Sequence, residues 1–309
     1  MTRHRPRRLL PLLLSGLFAL ALAAPASADT RTVELETGAR LFVETVGNGR
    51  PLLVIHGGLG LDHSYFQPWL DPLQKSFQLI YPDLRGNGRS ASVPDAEFTI
   101  DRMVDDLEAL RGTLGIKQWA VLGHSYGGYV AQAYALKYPG AVSYLILVDT
   151  SPSTRLIPKQ EAPQLLARKM TPEIAAELGN LGKVVTKAVP EGGNEEWQRI
   201  WHAILPIYFN EFPSQVLIPG DRTVYNEHAL VLGGALMATF DTRPMLAKLA
   251  LPTLVAVGRW DAILPISHSE ILYKSIPGAQ LVVFERSGHF PFVEEPGRFV
   301  EVVRSFLGE

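Results

Sequence analysis

A serine flanked by glycines raises the question of what this chain does. Gly123-His124-Ser125-Tyr126-Gly127 follows the short apolar run Trp119-Ala120-Val121-Leu122 and precedes Gly128 to Leu136, where Val130, Ala133 and Tyr134 share a helical face. The first segment reads as a buried strand and the second as a helix. In that context a G-x-S-x-G pentapeptide turns the chain sharply and lifts the serine hydroxyl above a sheet edge, at a helix N-terminus. A hydroxyl held there is a nucleophile for acyl transfer once a base takes its proton. Alone, the pattern is equally that of a Gly-rich turn whose serine caps a helix. The partners decide.

Two partners follow in chain order. Asp261 in Gly258-Arg259-Trp260-Asp261 and His289 in Ser287-Gly288-His289-Phe290-Pro291 each come just after an apolar run. Both therefore emerge at the carboxyl edge of a parallel sheet, where ligands bind in open α/β folds. His289 would serve as the base and Asp261 as the carboxylate that orients it. Asp149, at the end of the strand after the serine, is the alternative acid. His124 adjoins the serine but is expected to point away from the substrate and pack.

The oxyanion formed on attack needs fixed N–H donors. Tyr126, directly after the serine, is expected to give one. Gly58 in His56-Gly57-Gly58-Leu59-Gly60 is expected to give the other, with Gly57 as the alternative. That run lacks the G-x-G-x-x-G spacing and a Lys-Ser/Thr ending, which argues against nucleotide binding. Asp83-Leu84-Arg85-Gly86-Asn87-Gly88-Arg89-Ser90 is expected to be a buried charged network that holds a turn.

These residues need a scaffold. Thr32 to Glu36 and Leu41 to Val46 alternate as strands around Thr37-Gly38-Ala39, an antiparallel hairpin. Leu52 to Ile55, Phe77 to Tyr81, Leu145 to Val148, Leu254 to Val257 and Leu281 to Phe284 are continuous apolar runs, the mark of parallel strands buried on both faces. Ile100 to Leu114 has helical spacing. Strands alternating with helices imply a mostly parallel sheet flanked by helices. Residues 151–249 break the rhythm, with many prolines and short helical patterns, and read as a helical cap inserted between two strands. The core is then 29–150 and 250–309. Trp197 and Trp201 lie four apart on one helix face. With Tyr208 and Phe209 they either glue the cap to the core or line an apolar substrate pocket beneath it.

The first 28 residues are of another kind. Arg3, Arg5, Arg7 and Arg8 precede an apolar stretch from Leu9 to Ala24, and Ala26-Ser27-Ala28 is an A-x-A site. This is the pattern of a secretory signal peptide cleaved after Ala28, giving a secreted or periplasmic protein with no membrane attachment after cleavage. A retained anchor is the alternative. Arg7-Arg8 also partly resembles a twin-arginine signal, which leaves the export route open. Across the 309 residues the charged fraction is 19%, the net charge is −2 and there is no cysteine. These values give no reason to expect a nucleic-acid partner and exclude disulfides and thiol chemistry. Neither a metal nor an organic cofactor is indicated, and the oligomeric state is left open.

Taken together, HGG-x-G, D-x-R-G-x-G-x-S, G-x-S-x-G, G-x-x-D and S-G-H-F-P-F resemble the α/β-hydrolase superfamily from about Leu35 to the C-terminus. The glycine run and Tyr126 resemble most the proline iminopeptidase and tricorn-interacting aminopeptidase branch. That branch usually has HGGPG, where this chain has Leu59, and some members carry a glutamate where this chain has Ala262. In that setting Glu195, Glu196 and Glu211 of the cap are the candidates to hold a substrate amine. The resemblance implies a Ser125–Asp261–His289 serine hydrolase. It would cleave a small ester, lactone or amide, or a short peptide as an aminopeptidase. A non-catalytic ligand binder is the reading from a different class.

Overall fold

The computed structural model describes residues 28–156, 161–186, 193–212 and 222–309. The proposed signal segment therefore lies outside the described residues, Ala28 excepted. The strands are β1 (Asp29–Glu34), β2 (Arg40–Val46), β3 (Arg50–Ile55), β4 (Phe77–Pro82), β5 (Trp119–His124), β6 (Val142–Val148), β7 (Thr253–Gly258) and β8 (Gln280–Phe284). They form one sheet in the order β1-β2-β4-β3-β5-β6-β7-β8. β2 is antiparallel to both its neighbours, and every later pairing is parallel. The fold is an α/β-hydrolase sheet with helices on both faces.

The apolar runs explain the layering. Successive residues of a strand point to opposite faces, and here both faces are covered. Leu52 and Val54 of β3, Leu122 of β5 and Ile146 of β6 join one hydrophobic cluster. Leu53 and Ile55, Val121, and Leu145 and Leu147 join the other. The opening hairpin starts earlier than its alternation suggests, at Asp29, and its first strand stops at Glu34. Leu35 already belongs to the turn, exchanging backbone hydrogen bonds with Gly38 and Ala39.

The helices are α1 (Ile100–Thr113), α2 (Tyr126–Lys137), α3 (Glu161–Ala167), α4 (Pro172–Thr186), α5 (Gly193–Ile204), α6 (Glu227–Met237), α7 (Ile266–Ser275), α8 (Pro291–Glu294) and α9 (Pro296–Phe306). α1 begins where Thr99 caps it, its hydroxyl accepting the Arg102 N–H at 3.1 Å. Between β6 and β7 the described residues hold α3 to α6 and add no strand to the sheet. One carbonyl in the loop after β3 fastens this helical layer twice, and Asp62 adds a further bond by accepting the Val224 N–H at 3.0 Å. The Gly60 carbonyl accepts the Asn226 N–H at 2.9 Å and the Trp197 indole N–H at 3.2 Å.

The charged motif does form a buried network. Arg85 grips Asp106 of α1 through two hydrogen bonds of 2.6 Å. Asp83 accepts from His63 Nδ1 at 2.5 Å, and Arg89 reaches Asp62 at 2.6 Å. The network holds the His63–Phe66 turn, and with it Tyr65, beside the glycine run. Burial opposes charge on His63, yet Asp83 and Glu44 on either side hold its pKa up at about 9, from 6.5. The unfolded chain loses that proton near 6.5. The stabilisation from charged His63 is therefore complete below pH 6.5 and gone above about 9. Unfolding by urea should show a loss on the order of 3 kcal/mol across that window. His63→Gln should flatten the slope; an equal slope in the variant would contradict this role.

Candidate active site

The serine sits where β5 meets α2. Ser125 is the single residue between them, with φ 53° and ψ −120°. Non-glycine residues avoid that region at a cost of about 1–3 kcal/mol. Three bonds hold it there: the Ser125 N–H donates to Val148 O at 2.9 Å, and its carbonyl accepts from Gly128 N at 2.9 Å and Thr150 Oγ1 at 2.8 Å. The flanking glycines are needed for closeness. A Cβ on Gly127 would strike the Ile55 carbonyl of β3, and one on Gly123 would strike the Gly127 carbonyl.

His289 and Asp261 come together as the sequence places them, on the loops after β8 and β7. The His289 Nδ1–H donates to Asp261 Oδ2 at 2.7 Å, because a carboxylate can only accept. Asp261 Oδ1 accepts the Ile263 and Leu264 N–H groups at 2.8 and 2.9 Å, which fixes the carboxylate. His289 Nε2 is then the ring nitrogen left to take a proton. The His289 backbone N–H donates to Tyr208 O at 2.6 Å, so the helical layer also positions this loop. Asp149, the alternative acid, does not hold the histidine. Its Oδ1 accepts the Gly258 N–H at 2.8 Å.

Ser125, His289, Gly58 and Tyr126 line one cavity of about 460 Å³. Tyr126 opens α2, so its N–H has no partner within the helix. Among the described residues, no acceptor meets the Gly58 N–H either. Gly58 has φ +68°, and a Cβ there would collide with the Leu61 side chain. Gly57, the alternative donor, is already engaged: its N–H donates to the Tyr65 hydroxyl at 2.5 Å.

That bond belongs to a chain the sequence did not reveal. The Tyr65 O–H donates to His124 Nδ1 at 2.8 Å, and His124 Nε2–H donates to the His289 carbonyl at 2.8 Å. Burial and the neighbouring His289 push the His124 pKa well below its ordinary value, so the ring stays neutral in this tautomer. His124 packs as expected, edge-on to Phe292, but it also links the loop of Gly57 to the loop of His289. Only its position beside the serine marked it; Tyr65 carried no motif signal at all.

Trp197, Trp201 and Tyr208 line the cavity, whereas Phe209 does not. Phe209 is fully buried and packs on Phe290, with ring centroids 5.1 Å apart, so it belongs to the core. The remaining walls include Leu59, Leu178, Leu181 and Leu230. Among the described residues no Asp, Glu, Lys or Arg lines the cavity, and Glu195, Glu196 and Glu211 lie outside its lining. The arrangement offers a hydroxyl, an imidazole held by a carboxylate and two free N–H groups in an apolar chamber. Those are the parts of an acyl-transfer site.

The alpha/beta hydrolase fold family matches residues 50–296. The chain belongs to this family. An uncharacterized protein of Mycobacterium tuberculosis is 30% identical over 292 residues, 92% of this chain and 82% of the relative. A proline iminopeptidase of Saccharolobus solfataricus is 29% identical over 281 residues, 85% of this chain and 86% of that one. Among solved structures, a thermophilic esterase from Thermogutta terrifontis superposes with a TM-score of 0.66 at 28% identity, covering 91% of this chain and 98% of the esterase. The protein is accordingly a hydrolase of this family.

The strain at position 125 can be measured apart from chemistry. Ser125→Gly and Ser125→Ala both remove the hydroxyl, but only glycine relieves the positive φ. The glycine variant should be more stable than the alanine variant by about 1 kcal/mol in urea unfolding. Equal stability, or a more stable alanine variant, would show that the turn stores no strain.

Proposed function

We propose that the protein is an exported serine hydrolase that cleaves small esters or lactones with an apolar acyl group through an acyl-enzyme on Ser125. The observation that carries this reading is the apolar chamber into which Ser125 and the Asp261-bonded His289 both open. His289 Nε2 takes the Ser125 proton as Oγ attacks the carbonyl carbon. Negative charge gathers on the carbonyl oxygen, which accepts hydrogen bonds from the Gly58 and Tyr126 N–H groups. Asp261 stabilises the imidazolium formed meanwhile. The proton passes to the leaving alkoxide. Water, deprotonated by the same nitrogen, then releases the acid and restores Ser125.

The chamber supports the choice of substrate. A free α-ammonium group entering it would shed water without meeting a carboxylate among the described residues, an unfavourable exchange. Ala262 also offers no acid beside Asp261. Aminopeptidase activity, named for the Saccharolobus relative, is therefore the second reading. Export rests on the signal-like pattern of the first 28 residues. β1 begins at Asp29, the residue that cleavage after Ala28 would leave first.

The paired test uses p-nitrophenyl acetate and butyrate against proline and alanine p-nitroanilides. Burying two more methylenes should favour butyrate over acetate by about tenfold in kcat/KM. Ser125→Ala should lower kcat by about 10⁴-fold or more. Anilide turnover that requires a free amine, with little ester turnover, would overturn the ester reading in favour of an aminopeptidase.

A further inference from the structure

Behind Asp261 lies a second carboxyl that the mechanism leaves unused. Asp149 is fully buried at the end of β6, with φ +42°. Its N–H donates to Ala256 O at 2.9 Å, and its Oδ1 accepts the Gly258 N–H at 2.8 Å. These bonds to β7 fix the side chain in a position that favours asparagine, aspartate or glycine. Its Oδ2 faces no donor among the described residues. One carboxyl oxygen each of Asp149 and Asp261 and a ring nitrogen of His289 lie within 4.8 Å of one another.

Two carboxylates in that setting repel in a dry interior, and each would lack the water that makes charge tolerable. Asp261 is the one equipped to stay ionised. It already accepts from two backbone N–H groups and from His289. Asp149 has one donor and an unmet oxygen. A single proton on Oδ2 resolves both problems at once, turning an acceptor facing an acceptor into a hydrogen bond. We propose that Asp149 is a neutral carboxylic acid whose O–H donates to the Asp261 carboxylate, making it a positioning residue for the orienting acid of the site.

The surrounding charges agree with that assignment. Burial, then the neighbouring Asp261, pushes the Asp149 pKa well above the ordinary carboxyl value, and Glu294 acts in the same direction. The Gly258 N–H opposes the shift and is outweighed. The consequence for catalysis rests on the triad roles proposed above. A neutral donor behind Asp261 shares its negative charge and tempers its pull on the imidazolium. It also keeps the carboxylate from turning away from His289.

The first test does not depend on activity. In the infrared spectrum of the folded protein at about pH 9, where Glu294, whose pKa burial raises to about 7, is ionised, the carbonyl stretch of a protonated carboxyl should be present. It should shift in D₂O and vanish in Asp149→Asn. Its absence from the wild-type protein, or its persistence in the variant, would overturn the proposal even if the protein is the hydrolase described. The second test is the pH profile of kcat/KM on p-nitrophenyl butyrate between about pH 5 and 8. Asp149→Asn keeps an N–H donor toward Asp261 and an acceptor for Gly258. That variant should stay within about threefold of wild type, with its acid limb unmoved. Asp149→Ala removes the donor, so its acid limb should move to higher pH and its kcat should fall by about tenfold. Loss of stability with an unmoved limb would mean a merely structural role. Equal damage from both substitutions would mean that Asp149 works as the ionised acid. If Asp149→Ala fails to fold, the infrared comparison and the Asp149→Asn profile decide alone.

Discussion

The close approach of β5, β3 and α2 at the Ser125 turn is the constraint from which the site follows. A side chain at Gly123 or Gly127 would drive these elements apart. With glycine at both, the turn closes within one residue and Ser125 is forced to a positive φ. The strain persists because β6 over-determines the position. Val148 O and the Thr150 hydroxyl each bond the Ser125 backbone, so relaxing the turn would break bonds to the neighbouring strand and the residues after it. The serine is thereby presented at the carboxyl edge of the sheet with the free N–H of Tyr126 directly after it.

The other groups reach the same edge on separate loops and are tied to one another as well as to the sheet. Gly57, Tyr65, His124 and the His289 carbonyl form one hydrogen-bonded chain across the floor of the site. The helical layer covers the site from above, tied down through Gly60 O on one side and the bond from His289 N to Tyr208 O on the other. Helices that wall the chamber thus also hold both loops that bring groups to the serine. An apolar chamber strengthens every fixed dipole inside it, so two N–H donors and one carboxylate would suffice for the acyl transfer we propose.

Much of this was legible in the sequence, for identifiable reasons. Parallel strands buried on both faces leave continuous apolar runs, so Leu52–Ile55 and Leu145–Val148 marked themselves. Chemistry tied to local turns, such as Gly-x-Ser-x-Gly, is written in adjacent letters. What failed to show was tertiary pairing between single residues far apart. Nothing near Tyr65 announces that its hydroxyl serves both Gly57 and a histidine 59 positions away. Phe209 and Tyr208 read alike as cap aromatics, yet one faces the core and the other the chamber, because the chain turns between them. Asp149 and Asp261 both follow strands and both suit the role of acid. Only the bond from His289 Nδ1 separates them.

A Ser125 hydroxyl activated for attack would react with an electrophilic phosphorus centre while the protein is folded. Treating the folded protein with a fluorophosphonate, followed by intact mass and peptide mapping, measures that reaction. The expected result is one adduct per chain, on Ser125, and a large drop in its rate of formation in His289→Asn. No adduct on the folded protein, or an adduct on a different residue, would mean that Ser125 is not an activated nucleophile.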